Sequence, residues 1–301
     1  MIKHTIEVSR LPARLSLRHK QLILKLDSDK ERRFSCEDIG VLILQHPAIS
    51  LSAAILNELL EHGAVVVICG KNHLPTGMLL PTVTHTELVP RMNAQLQADK
   101  PAQKNVWKHI VKAKIHNQAN ELNHDLAKRK LKNLAANVKS GDTENHEAQA
   151  AKIYWKTRFP ERYAHNDKRD SNSNSLFNSC LNYGYAIVRA AVARSLVSAG
   201  LQPALGVFHH SRSNPFCLAD DVMEPLRPLV DRYVRDILLD NQLNQLPVLD
   251  SQHRQKLLSI LTHEVELNKQ HGPLMVVLPR YINSIFRLLT KESKKLFFPS
   301  Y

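Results

Sequence analysis

The run GVLILQHPAISLSAAILNELLEHGAVVVIC, residues 40–69, changes its apolar spacing twice. It opens on the short apolar run GVLIL and closes on AVVVIC, a run of the kind that forms a buried strand. Between them Ala53, Leu56, Leu59 and Leu60 supply one face of a helix that Ser50 or Ser52 can cap and Gly63 can end. Upstream, HTIEVSR alternates and LILKL adds another apolar run, so residues 1 to about 80 read as strand-rich. Downstream, GKNHLPTGMLLPTVTH is rich in Gly, Pro and Thr, which suits a terminal hairpin and a linker. A boundary is placed near residue 85. Beyond it the spacing becomes helical, with helices predicted near 87–98, 101–138, 143–158, 174–199, 218–239, 251–269 and 277–296. Gly141 and Gly200 stand where left-handed caps are easiest. The polar stretch Asp167–Ser175 reads as a mobile loop. The prediction is an α+β chain, with a small β-rich domain over 1–85 and a larger all-α domain over 86–301.

With 301 residues and 43% hydrophobic content the chain can build a real core. Forty-one basic residues against 28 acidic ones give a net charge of +13, which favours nucleic acid or an acidic membrane as partner. No apolar run approaches the roughly 20 residues that span a bilayer, so no membrane segment is expected. The start MIKHTIEVSR lacks the apolar core of an export signal, which predicts a cytoplasmic protein. Cys36, Cys69, Cys180 and Cys217 are far apart and form no CxxC pair, so they read as buried free thiols.

The positive charge is concentrated. Between Arg91 and Lys139 stand eleven Lys or Arg residues and three Asp or Glu. Lys104, Lys108 and Lys112 recur every four positions and line one helix face, while Val106 and Ile110 turn inward. Such a stripe suits a phosphate track that binds double-stranded DNA without reading its sequence. A solvated helix face is the alternative, though few acids interleave to pair with the lysines.

Chemistry is concentrated in LGVFHHSRSNPFCLADDVMEPLRPLVD, residues 205–231. Asp221 and Glu224 are three apart and share a helix face; His209 lies just upstream, and Glu147 in ENHEAQAAKIYWK offers a further carboxylate beside small alanines. Carboxylates suit Mg²⁺, and Mn²⁺ also tolerates an imidazole nitrogen. Each residue alone has a plain structural reading, since acids near helix starts are stabilised by the dipole, and Asp220 can do only that. Pro225 and Pro228 predict a kink beside the acids. Arg227 can pair with Asp231 or reach a phosphate. Asn178, Asn182, Tyr185 and Arg189 line one face of another helix; they can brace metal ligands, touch DNA, as assigned to Arg189, or simply join helices.

The run Leu205–Asp231, with HEAQAAKIYW, LNYGYAIVRA and EDIGVLIL, resembles the CRISPR-associated integrase family numbered first among the Cas proteins, over nearly the whole chain. The form of ADDVMEPLRPLVD is most similar to the version found beside single-protein effector nucleases, the type II systems. The resemblance implies a β-rich dimerisation domain, making a homodimer, and a helical catalytic domain. It implies that Glu147, His209 and Glu224 hold Mg²⁺ or Mn²⁺ and that Asp221 is a further catalytic group. His209 and His210 are adjacent; the spacing to Glu224 favours His209, and His210 stays open as the substitute. A heterocomplex with the small second Cas protein is implied, two dimers flanking a central dimer of that partner, and the effector nuclease of the same locus is a further candidate partner. The implied reaction joins 3′-hydroxyl ends of captured protospacer DNA to the CRISPR repeat by transesterification, with water in the nucleophile's place giving nicking. Two other readings are a stand-alone metal-dependent nuclease on branched DNA and a non-catalytic basic DNA-binding scaffold.

Overall fold

A computed structural model describes residues 3–26, 31–70, 74–82, 85–164, 169–170, 172–173, 175–241 and 249–301. Strands β1 (His4–Val8), β2 (Ala13–Arg18), β3 (Gln21–Leu26), β4 (Glu31–Ser35), β5 (Ile39–Leu44) and β6 (Ile49–Leu51) precede helix α1 (Ala53–Glu61), and β7 (Val65–Cys69) and β8 (Pro75–Leu79) follow it. They form two sheets. The first runs β1-β5-β7-β8, parallel except for β8, and the second runs β4-β3-β2-β6.

Every residue of β5 is buried because both faces of the first sheet are covered. Val41 and Ile43, with Val65 and Val67, pack against the helical region; Leu42 and Leu44, with Val66, pack against α1 and the second sheet. A strand dry on both faces is written as an unbroken apolar run. The terminal hairpin read from Gly and Pro is β7 with β8, paired antiparallel.

The chain then turns helical: α2 (Leu88–Gln97), α3 (Lys100–Asn120), α4 (Asp125–Asn137), α5 (His146–Arg158), α6 (Pro160–Ala164), α7 (Leu176–Ser198), α8 (Cys217–Met223), α9 (Arg227–Asn241), α10 (Ser251–Leu258) and α11 (Leu274–Leu289). No described helix is long and apolar enough to cross a membrane. Gly141 and Gly200 take positive φ, as their positions after or between helices suggested.

Three helix readings need correction. The single helix expected over 101–138 is two, because Glu121 at the end of α3 is buried and pairs with Arg158 (3.0 Å) and Arg232 (2.5 Å), which turns the chain inward. The helix expected over 251–269 stops at Leu258, and β9 (Glu264–Leu267) and β10 (Gln270–Pro273) form an antiparallel hairpin, so this region is mostly helical rather than all-α. Asn268 and Lys269 both adopt positive φ, as a two-residue type I′ turn requires. The helix expected over 218–239 breaks at a 3₁₀ turn, Glu224–Leu226. Residues 167, 168, 171 and 174 of the proposed mobile loop lie outside the described residues. Within it, Arg169 donates to Asn178 Oδ1 (3.1 Å) and Asn182 Oδ1 (2.7 Å), which ties it to α7.

The two cores share the first sheet, so trimming one of its side chains should be felt by the whole chain. Ile43→Ala should cost about 2–5 kcal/mol in urea unfolding monitored by circular dichroism; a loss below about 1 kcal/mol would contradict the close packing described.

Candidate metal centre

Glu147 stands in the first turn of α5, where the helix dipole favours a negative charge. The turn before it passes through Gly141 (φ 74°), and Asp142 accepts from the N–H groups of His146 (2.9 Å) and Glu147 (3.0 Å). Glu224 arrives from another direction, on the 3₁₀ turn that follows α8. Pro225 has no N–H for the carbonyl of Asp221, which takes the N–H of Glu224 instead and tightens the turn. The carbonyl of Pro225 accepts from Asn117 Nδ2 (2.8 Å) and the Tyr301 hydroxyl (2.9 Å), so two distant side chains hold the turn in place.

Lys114 of α3 joins the two acids. Its Nζ donates to Glu147 Oε1 at 2.6 Å and lies 2.6 Å from Glu224 Oε2. Arg227 Nε donates to Glu224 Oε1 (2.7 Å), and its guanidinium covers the ring of Tyr185 at 4.6 Å. Burial pushes the Glu224 carboxyl up, but Arg227 and then Lys114 outweigh it and hold it down at about 2. Burial likewise opposes charge on Lys114, and Glu224 and Glu147 overcome it, keeping the ammonium protonated above the usual lysine range.

The third candidate ligand is aimed by Asp221. This carboxylate is fully buried. Its Oδ2 accepts from the N–H groups of Val207 (2.7 Å) and Phe208 (2.9 Å); its Oδ1 accepts from the His209 N–H (3.1 Å) and lies 2.6 Å from His209 Nδ1. The loop can wrap this closely only because residue 206 is glycine. A Cβ there would lie 2.2 Å from the His209 carbonyl oxygen and 3.0 Å from Asp221 Oδ2. The hydrogen bond that His209 makes to Asp221 raises the His209 pKa, burial opposing it, with further support from the charges of Asp221, Glu224 and Glu147. Phe208 stacks on Trp107 at 4.1 Å, and the His209 ring meets Trp107 edge-on. His210 lines a cavity of about 510 Å³ with Gln95, Gln103 and Arg212.

Two carboxylates and an imidazole are a donor set that Mg²⁺ or Mn²⁺ accepts. With Nδ1 on Asp221, His209 keeps Nε2 for a ligand, in the carboxylate–histidine pattern that orients metal-binding imidazoles. Among the described residues no three His, Cys, Asp or Glu side chains stand around one point. The donor set fits by its chemistry, and the space between the two glutamates is taken by the ammonium of Lys114.

The sequence profile of the CRISPR-associated protein Cas1 family matches residues 7–259. The chain belongs to the Cas1 family. It is 38% identical to a CRISPR-associated endonuclease Cas1 from Neisseria meningitidis serogroup C (strain 8013), over 95% of this chain and 92% of that one. Its fold matches a casposase bound to its integration product, with TM-score 0.79 at 20% identity over 98% of this chain and 92% of that one. It also matches a chain of a Cas6-RT-Cas1–Cas2 complex, with TM-score 0.76 at 20% identity over 97% of this chain and 35% of that one. The β-sheet region followed by a mostly helical one is thus the Cas1 fold.

The remaining residues singled out in this Cas1 sequence divide by environment. Lys104 is exposed and Lys108 half-buried, whereas Lys112 donates to the Ala136 carbonyl (3.3 Å). Arg189 lies over the Phe216 ring at 5.4 Å and 3.9 Å from Asp220. Arg227 does not pair with Asp231, as its i,i+4 spacing had suggested. Asp231 instead accepts from the hydroxyls of Tyr185 (2.5 Å) and Tyr154 (3.0 Å), and burial, only partly offset by those bonds, raises its carboxyl to about 6. Asn178 and Asn182 accept from Arg169, and Tyr185 lies beneath the guanidinium of Arg227, so this polar face of α7 holds a loop residue at one end and the Arg227 partner of Glu224 at the other.

Lys114 was missed as a site residue. Its signal was present: it shares a face with Trp107, Ile110 and Val111, all buried, where a lysine has no bland explanation.

The loop around Asp221 should not tolerate a methyl group at residue 206. Gly206→Ala should cost roughly 1–3 kcal/mol in thermal or denaturant unfolding; an unchanged midpoint would mean that the loop does not depend on this approach.

Proposed function

We propose that this Cas1-family chain is a metal-dependent DNA integrase and endonuclease of CRISPR adaptation, which joins 3′-hydroxyl ends of captured protospacer DNA to a CRISPR repeat. The observation that carries this reading is the pairing of Glu147 and Glu224, from separate elements, on one cation beside an imidazole already oriented by Asp221. Glu147, His209 and Glu224 would hold Mg²⁺ or Mn²⁺, which when bound polarises the target phosphodiester as a Lewis acid. Asp221 acts through His209, fixing the ring so that Nε2 faces the site. Arg227 keeps Glu224 ionised and in place, and is itself held by Tyr185. Lys104, Lys108 and Lys112 draw the DNA backbone to α3 by charge, and Arg189 adds a contact nearer the loop. A 3′-hydroxyl attacking the phosphodiester gives joining, and water gives nicking.

The partners proposed are double-stranded DNA, a second copy of this chain through the β-rich region, and the small second Cas protein, in the cytoplasm. The fold shared with the casposase on its integration product and with the Cas1–Cas2 assembly supports that choice. The effector nuclease of the same locus is proposed as a further partner.

Purified protein with its small partner, a protospacer duplex and a repeat substrate should yield joined product only with Mg²⁺ or Mn²⁺. Glu147→Gln should lower joining by at least roughly 10²-fold while leaving duplex binding intact, and Asp221→Asn by about 10–100-fold. Full joining by Glu147→Gln would remove that residue from the chemistry. Protein that cuts branched DNA but never joins it would favour the stand-alone nuclease.

The phosphate track has its own test. Changing Lys104, Lys108 and Lys112 to Ala together should reduce the slope of log affinity against log salt by about 2 to 3 for duplex DNA. An unchanged slope would place the DNA elsewhere.

A further inference from the structure

Lys114 is not part of the outward basic stripe. Lys104 and Lys108 present their charges along the outer part of α3, whereas Lys114, two residues beyond Lys112, enters the protein with its side chain only 11% exposed. There it meets two carboxylates, one of them on Glu224, which is almost fully buried. Two such groups repel each other when brought together without a cation, and an uncompensated buried charge is costly. Arg227 answers one oxygen of Glu224 and Lys114 the other, so Lys114 is the group that binds Glu147 to Glu224. Its Nζ lies at the point where a shared divalent ion would have to touch both acids.

We infer that Lys114 is an internal counter-cation that holds the two glutamates in register without metal and must leave for a divalent ion to enter. The inference rests on the metal reading of Glu147 and Glu224. An ammonium and a dication cannot share a space a few ångströms wide, because their repulsion there is many times that in bulk water. Lysine suits the task in a way arginine does not. Its charge is a compact group on a flexible four-carbon stem, so it can withdraw without dismantling a fork of hydrogen bonds. The Glu147 end of this ion pair is the more exposed one, its side chain 22% accessible against 6% for Glu224, so Lys114 would withdraw on that side. The metal-free protein then keeps its ligands poised and its charge balanced, and the affinity for metal is the outcome of a competition.

The test uses the full-length protein without DNA, Mn²⁺ as the probe, and binding read from loss of the free-ion electron paramagnetic resonance signal. Lys114→Met keeps the stem and removes the charge. It should bind Mn²⁺ at least roughly 10-fold more tightly than the wild type. It should also melt at a lower temperature in EDTA and gain more from added Mn²⁺. Should the variant fold poorly, the wild type supplies a second measurement: acetylation of Lys114, followed by mass spectrometry, should rise several-fold on adding Mn²⁺ while that of Lys104 stays constant. Equal affinity in the two proteins, or labelling of Lys114 indifferent to Mn²⁺, overturns the inference and leaves the metal reading standing. Weaker binding by Lys114→Met than by the wild type overturns the inference alone, and failure of both proteins to bind Mn²⁺ overturns both.

Discussion

A carboxylate cut off from water must find its hydrogen bonds in the protein, and the region around the candidate centre is organised by that requirement at Asp221. Three successive backbone N–H groups and one imidazole converge on it. Meeting them forces residues 206–209 into a tight wrap, permits no side chain at Gly206, and fixes the His209 ring through its Nδ1. Losing the carboxylate would leave several buried donors without a partner, which costs more than the bonds contribute when all are made. The position of His209 is therefore a consequence of satisfying Asp221.

The same logic extends outward through Glu224. Its two oxygens are answered by Lys114 and Arg227; the guanidinium of Arg227 rests on Tyr185, whose hydroxyl goes to Asp231, which also receives Tyr154. Such a chain of buried polar groups adds little net stability, because desolvation offsets most of the attraction. What it provides is definition. The turn carrying Glu224 is fixed at its carboxylate by ion pairs with Lys114 and Arg227, while Asn117 and Tyr301 hold its backbone.

The order of strands followed by helices was legible because the apolar period changes from runs and alternation to three-and-four spacing. The break at Pro225 was legible for a covalent reason, the absent N–H. The break after Asn120 was not, since no glycine or proline marks it and its cause, Glu121 meeting Arg158 and Arg232, lies far along the chain. The β9–β10 hairpin carried a readable signal, alternation in EVEL before Asn268, that was submerged in helical spacing from Leu257 and Leu261. Within the site, the acids and His209 stood out as residue types. Asp142 did not, because an aspartate before a helix is ordinary until its surroundings are known; Lys114 stood on an apolar face with Trp107, Ile110 and Val111, a signal masked by the basic run around it.

The first sheet, finally, belongs to neither half of the chain alone. A hinge between the β-rich and helical regions would have to wet one side of β5, whose residues are all dry, and would also part Arg254 from Glu7 across the same seam. With each exposed aliphatic side chain costing about 1.5–3 kcal/mol, bending there is prohibitive. A pull on the outer sheet is therefore borne by the packed seam of β5 and by the Arg254–Glu7 pair rather than by a linker.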